Sequence, residues 1–312
     1  MTAGGAADAI ARHCTITVDL GGTNVRAAAV DDLGDLVLHI RRPTPRHDPD
    51  PQFLIHLIHA VIADLPADRR AGRAVVGLPG VIDQVHERLV TGVNLPKGWI
   101  DKINEDWIAD QIGMEVSLAN DADLAAVGES EFGAGRNHRD VVYVTVSTGV
   151  GAGLVVASRL VQGSLSGGEL GHTVIDWEAA RRGEPATVED LGSGTAIDRA
   201  AAKAGLAERG ADFAALVAAG SEPATTIWNH ALEAVGIGIA NMAWMVAPQI
   251  VIVGGGVGRN TDLVLPVIRR QLEQFGPVFS GDIELATAEL GDDAALIGGA
   301  AWYRAIGRVD GA

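Results

Sequence analysis

The chain has 312 residues, 47% hydrophobic and 21% charged, the balance of a soluble globular protein with room for two domains or one large one. A formal net charge of -16, from 24 basic and 40 acidic side chains, argues against a nucleic-acid partner, although local amides and a metal ion can still hold a nucleotide. The single cysteine, Cys14, excludes an intrachain disulfide, and the cytoplasm is the expected compartment.

Residues 1–13 lack a charged segment followed by a long apolar stretch, so no signal peptide is expected. Residues 14–20 (CTITVDL) read as a strand, the glycines at 21 and 22 as a tight turn, and residues 25–30 as a second strand. A third strand is expected over 36–41, then a proline-rich loop, PTPRHDPDP. Apolar residues at helical spacing follow over 53–62, and a short strand over 74–78 runs into Pro79-Gly80. A hairpin-like stretch over 88–96 (RLVTGVNLP) leads to a helix over 100–112 and a strand over 116–119. Asn120 and Asp121 sit where that strand gives way to another helix.

The pattern then restarts, with a strand over 141–146, a glycine turn over 147–153 and a strand over 154–157. Helices are expected from about 189, over 212–219 and over 225–246, then a strand over 250–253 ending on a glycine triplet. A helix over 263–275, a strand over 283–286 and a helix over 294–304 complete the chain. The apolar region 237–257 is broken by Asn241, Pro248 and Gln249, so it reads as a buried helix and strand and no membrane contact is expected. Two α/β halves built alike imply two similar lobes with a ligand cleft between them. The expected division is a small lobe over 1–120, a large lobe over 121–293, and a C-terminal segment, 294–312, that returns to the first.

Five segments can carry chemistry. In Asp19-Leu20-Gly21-Gly22-Thr23-Asn24, side-chain-free turn residues can present amides to phosphate oxygens, Thr23 adds a hydroxyl, and Asp19 can hold a metal ion. A hairpin whose glycines only make the turn fits equally well. Ser147-Thr148-Gly149-Val150-Gly151 repeats the device in the second half. The third cluster, Gly254-Gly255-Gly256, can pass under an adenine or ribose, or merely join strand to helix. Asp121, at a strand end, can accept a hydroxyl proton as that oxygen attacks phosphorus; taken alone, Asn-Asp before a helix is better read as a cap. Glu169 and His172, three residues apart in a glycine-rich loop, can both reach a small polar ligand, with Glu189 following.

Together these segments resemble the ROK family of bacterial sugar kinases, within the actin/hexokinase-like ATPase superfamily, over roughly residues 15–305. DLGGTNVRAAAVDDLG resembles the family's first phosphate hairpin, GLPGVID and NLPKGW its sugar-side loop, and NDADLAAVGE the segment with the catalytic aspartate. STGVGAGLV resembles the second phosphate hairpin, and GGELGH the sugar-binding Glu-x-Gly-His, with Glu189 ahead of LGSGTAI as the last sugar contact.

The resemblance implies an α/β, two-lobed actin-like ATPase (ribonuclease H-like) fold with a cleft between the lobes. It implies phosphoryl transfer from ATP with Mg²⁺ to the 6-hydroxyl of a hexose, Asp121 acting as general base. Gly80, Asn120, Asp121, Glu169, His172 and Glu189 would line the sugar site. Gly21, Gly22, Thr23, Asn24, Thr148, Gly149, Gly151, Gly255 and Gly256 would face ATP, and Asp19 the Mg²⁺. A homodimer follows from family habit.

Family members usually follow the histidine with a zinc element, C-x-C-G-x-x-G-C. Residues 173–188 contain no cysteine, so no zinc is expected, and packing by Trp177 with Arg181 or Arg182 should hold the loop instead. The altered loop leaves glucose and an amino sugar (N-acetylglucosamine, N-acetylmannosamine or an amino-glucose such as kanosamine) as alternative substrates. Polyphosphate in place of ATP stays open. So does a sugar-sensing regulator, since the family includes repressors with an added DNA-binding domain, and so does an ATPase acting on another substrate.

Overall fold

The computed structural model describes residues 12–48, 50–92, 95–206, 211–276, 278 and 281–307. Val93 and Asn94 of the sugar-side loop, and residues 308–312 of the C-terminal segment, lie outside them.

Two five-stranded sheets organise the chain. The first contains β1 (Arg12–Leu20), β2 (Asn24–Asp31), β3 (Leu36–Pro43), β4 (Arg69–Leu78) and β7 (Glu115–Asn120), in the order β3-β2-β1-β4-β7. Between β4 and β7 a small ribbon forms from β5 (Gly80–Asp83) and β6 (Arg88–Gly92). The second sheet contains β8 (Val141–Val146), β9 (Val150–Val156), β10 (Arg159–Leu160), β11 (Ile250–Gly254) and β12 (Glu284–Thr287), in the order β10-β9-β8-β11-β12.

The two orders match position by position. In each sheet an antiparallel hairpin is extended on one side by an antiparallel edge strand and on the other by two parallel strands. Central strands buried on both faces are largely apolar or β-branched, and residues 14–20 of β1, in which Asp19 is the charged exception, and 250–254 of β11 are all buried.

Separate cores support the two sheets. Helices Gln52–Ala63 and Glu105–Ile112 pack on the first, and the long helix Glu222–Val246 with Thr261–Phe275 on the second. Helix Asp121–Glu131 leaves the end of β7 and packs against β8 and β9, sharing a core with residues 294–305 that draws on both sheets. Its partner, helix Ala294–Gly298, also lies against β1 and β2, and its Leu296 packs with Ala28 and Val30 of β2. These two helices approach so closely that a Cβ on Gly128 would lie 2.2 Å from Ala294 O, and one on Gly298 2.0 Å from Leu124 O.

Several local expectations shift. The helix expected over 100–112 is two, Lys97–Lys102 and Glu105–Ile112, because Asn104 breaks the run and caps the second through Trp107 N at 2.8 Å. The second glycine turn spans only 147–149, since β9 already begins at Val150. The last helix is also divided, into Ala294–Gly298 and Trp302–Ala305. Among the described residues, no helix is long and apolar enough to cross a membrane.

Candidate active site

Asp121 sits in the first turn of helix Asp121–Glu131, at the junction of the two sheets. Asn120 is the cap of this helix: its Oδ1 accepts from Ala122 N at 2.8 Å and Asp123 N at 3.2 Å. Asn120 Nδ2 donates to Gly80 O at 3.0 Å, tying the cap to the β5–β6 ribbon. Gly80 needs to be glycine, with φ at +152° and Thr91 O only 2.0 Å from where a Cβ would stand. With the cap supplied by its neighbour, Asp121 Oδ1 accepts the amide of Ala122, at 2.9 Å.

Asp121 borders a cavity of about 200 Å³. The first sheet contributes Asp19 and Arg26 to its walls, the second Tyr143 and Thr145, and the second glycine turn Ser147. Gly255, Gly256 and Asp292 complete the rim. Burial is the first cause that raises the Asp121 pKa, followed by the nearby Asp19 and then Glu169; the Ala122 amide opposes them, and the carboxyl is pushed up to about 7. A carboxylate poised there suits proton transfer at neutral pH.

Asp19 is 4% exposed, and burial pushes its carboxyl up against the pull of Arg26. Arg26 lies directly opposite it in the β1–β2 register, and Nε donates to Asp19 Oδ2 at 3.1 Å. The same guanidinium reaches Asp292 O. Sequence reading missed Arg26, although a turn centred on Gly22 and Thr23 places it across from Asp19.

Both glycine turns are held from behind. Thr44 N donates to Thr23 O at 2.9 Å and Thr44 Oγ1 to Gly21 O at 2.7 Å. In the second turn Gly194 N donates to Ser147 O, and Thr195 Oγ1 to Thr148 O, both at 2.7 Å. The carbonyls of Gly21, Thr23, Ser147 and Thr148 are thereby occupied, while the amides of Gly22, Thr23, Thr148 and Gly149 take no partner among the described residues. Successive N–H groups left without an acceptor are the raw material of an anion-binding concavity. Asn24 opens β2, Gly151 lies within β9, and Gly255, at φ +83°, packs on Val146 O and Thr145 Oγ1.

Glu169, His172 and Glu189 form a second group. His172 Nε2 lies 3.8 Å from Glu169 Oε2, and burial followed by Glu189 raises the Glu169 pKa against the pull of His172. Glu189 Oε2 accepts from Val150 N at 2.8 Å and stands 2.4 Å from where a Cβ on Gly149 would be. This carboxylate therefore links the second turn to the Glu169 loop.

Asp123, also missed, is fully buried three positions past the cap, and neither of its oxygens has a partner among the described residues. Burial, with Glu169 and Asp121 near it, holds its carboxyl well above the usual range.

Residues 173–188 fold without the packing expected of Trp177, which is 62% exposed under the guanidinium of Arg181. Backbone pairing does the work: Ile175 N donates to Ala186 O and Val188 N to Thr173 O, closing the base beneath helix Trp177–Arg182. Thr187 and Asp190 add a reciprocal cap to the helix that carries Glu189.

The profile of the ROK family matches residues 15–306. A glucokinase of Streptomyces coelicolor is 28% identical over 309 residues, covering 92% of this chain and 96% of its own. An N-acetylmannosamine kinase of Citrobacter koseri is 34% identical over 298 residues, covering 92% and 97%. The crystal structure of a Streptomyces griseus ROK glucokinase with glucose and AMPPNP superposes with a TM-score of 0.78 at 27% identity, covering 93% of this chain and 99% of that one. On the match from residue 15 to 306 and on this superposition, the chain belongs to the ROK family and has its two-lobed actin-like ATPase fold.

Proposed function

We propose that this protein is an ATP-dependent sugar kinase that transfers the terminal phosphoryl group to a hexose hydroxyl, with Asp121 as general base. One observation carries the reading. A half-buried carboxyl held near neutrality stands on the wall of a cavity lined from both sheets, and the two glycine turns carry amides without partners among the described residues.

In this reading Gly80, Asn120, Glu169, His172 and Glu189 surround the sugar, and Asp121 takes the proton of the attacking hydroxyl. Gly21, Gly22, Thr23 and Asn24 of the first hairpin, Thr148, Gly149 and Gly151 of the second, and Gly255 with Gly256 receive the nucleotide. Phosphoryl transfer needs little covalent help from a protein and depends on position and on neutralised charge. Mg²⁺ bound with the nucleotide would supply part of that charge. Asp19 suits it: its Oδ1 takes no hydrogen bond among the described residues, and the side chain lines the cavity.

No zinc enters the reading, since residues 173–188 offer no cysteine and their base is closed by backbone pairing. We take residues 1–120 and 121–293 as the two lobes, because each range contains one sheet, with the segment from 294 packed back on β1 and β2.

Glucose, phosphorylated at its 6-hydroxyl, is the first substrate to test, with the amino sugars as alternatives. Coupled measurement of ADP release over a panel of hexoses and amino-hexoses decides among them. Sugar-dependent release that Asp121→Asn abolishes supports the reading. Sugar binding without any release would point to a sensor, and sugar-independent release to a different ATPase.

A further inference from the structure

In sequence, residues 44–48 read as part of a proline-rich connector; in the structure they fold back onto the first glycine turn. Thr44 occupies the turn's carbonyls, as described, and Arg46 N donates to Thr44 O at 2.9 Å. This tight bend brings the guanidinium back over the turn. Its Nη2 stands 3.5 Å from Thr23 Oγ1 and 3.0 Å from where a Cβ on Gly22 would lie. The far end is tied down as well, since the indole of fully buried Trp99 donates to Asp48 O at 2.7 Å.

We infer that Arg46 is a nucleotide-binding residue that closes the first turn into a cationic cradle for the donor's phosphate chain. Two amides without partners and a guanidinium fork offer N–H donors and no acceptor, which suits phosphate oxygens and little else. Among the described residues no carboxylate lies within ion-pair distance of Arg46, although the chain carries 40 acidic side chains. The turn joins the strands that carry Asp19 and Arg26, and these two residues line the cavity, which Glu169 and His172 do not. Arg41, opposite Arg26 in the β2–β3 register, adds a second positive charge on the same side.

The inference rests on the kinase reading, and its test separates the two. Arg46→Ala is expected to raise KM for ATP and weaken ADP binding by calorimetry about tenfold, the worth of one charge-assisted hydrogen bond. The KM for sugar and the melting temperature should not move, because the side chain is exposed and, among the described residues, its hydrogen bond goes to the turn. Arg46→Lys should recover only part of the loss, since an ammonium lacks the planar fork. ADP affinity and KM for ATP within about twofold of the unsubstituted protein overturn the assignment of Arg46 and leave the kinase reading intact. Absence of sugar-dependent ADP release in the unsubstituted protein overturns the kinase reading, and ADP titration of the variants still decides Arg46. Equal losses in sugar and nucleotide affinity, or a lowered melting temperature, would mean that Arg46 only shapes the fold.

Discussion

Asn120 and Gly80 are joined by a single hydrogen bond, Asn120 Nδ2 to Gly80 O at 3.0 Å, and through it the cap of one helix is fixed to the ribbon proposed to face the sugar. The other end of that carboxamide holds the amides of Ala122 and Asp123. One side chain thus sets the start of the helix and the direction of the next residue, Asp121. Asn120→Ala is expected to lose about 1–3 kcal/mol, the worth of a cap and one further buried bond. Turnover should fall by more than about tenfold, because a displaced base costs far more than its contact energy. Urea unfolding and ADP release measured on the same preparation check both, and a variant with full turnover would remove Asn120 from the positioning role.

The pKa of Asp121 has two consequences of opposite sign. As a base it must be ionised, so kcat/KM should climb with a slope of one up to about pH 7 and then level. Stability should run the other way. The folded carboxyl holds its proton up to about 7 whereas the unfolded one releases it near 3.8, so between these values the folded state binds more protons. Stability is then fully present below pH 4 and lost as pH rises toward 7, by about 2–4 kcal/mol at most. Buried Asp19, also raised, adds in the same direction. Asp121→Asn, which cannot ionise, should therefore be inactive yet more stable than the unsubstituted protein at pH 8, and little different at pH 4. Equal stability at both pH values would show that the carboxyl is not raised.

What was legible in the sequence was local. The β-branched runs of β1 and β8, the two glycine turns and the strand end at Asn120 each depend on residues close together in the chain, and each forms. Asn104 was less visible, because the apolar residues Trp99, Ile103, Trp107 and Ile108 keep a nearly helical spacing across the break. Asp123 and Glu129 were not legible at all. In sequence the acidic residues of helix Asp121–Glu131 look like a solvated face, but the helix is sandwiched between two sheets and has almost no exposed side. Only the tertiary fold buries them. Arg46 was hidden for the same reason, since nothing in a proline-rich segment says which way it folds back.

The contact between Gly149 and Glu189 gives a test of how the second turn is coupled to the Glu169 loop. A methyl group at 149 would stand 2.4 Å from Glu189 Oε2, so the carboxylate must swing away and give up Val150 N. Gly149→Ala is expected to cost about 1–2 kcal/mol of stability for the lost charged bond. If Glu189 contacts sugar, then, apart from any direct effect of Gly149→Ala on the proposed nucleotide turn, Glu189→Ala should weaken sugar binding about tenfold with little effect on ADP affinity. Calorimetry with sugar and with ADP separates the two. Loss of ADP affinity alone would place Glu189 on the nucleotide side.

Glu129 makes the sharpest structural prediction. It is fully buried, and its carboxylate accepts Ala134 N at 2.9 Å, Glu289 N at 3.1 Å and Leu290 N at 2.8 Å. Two of these amides belong to the segment that leads into Asp292 and Ala294 on the cavity rim. Because the described partners are all donors, an amide in place of the carboxylate turns an N–H toward an N–H. Glu129→Gln should therefore cost nearly as much as Glu129→Ala, about 3 kcal/mol or more in each, although glutamine preserves the shape. The freed segment should also loosen Arg26, which is held by Asp292 O, and raise KM for ATP. Denaturation of the two variants side by side is the check. A glutamine variant as stable as the unsubstituted protein would mean that the site contains an acceptor able to take its amide, and that the three amides do not depend on a negative charge.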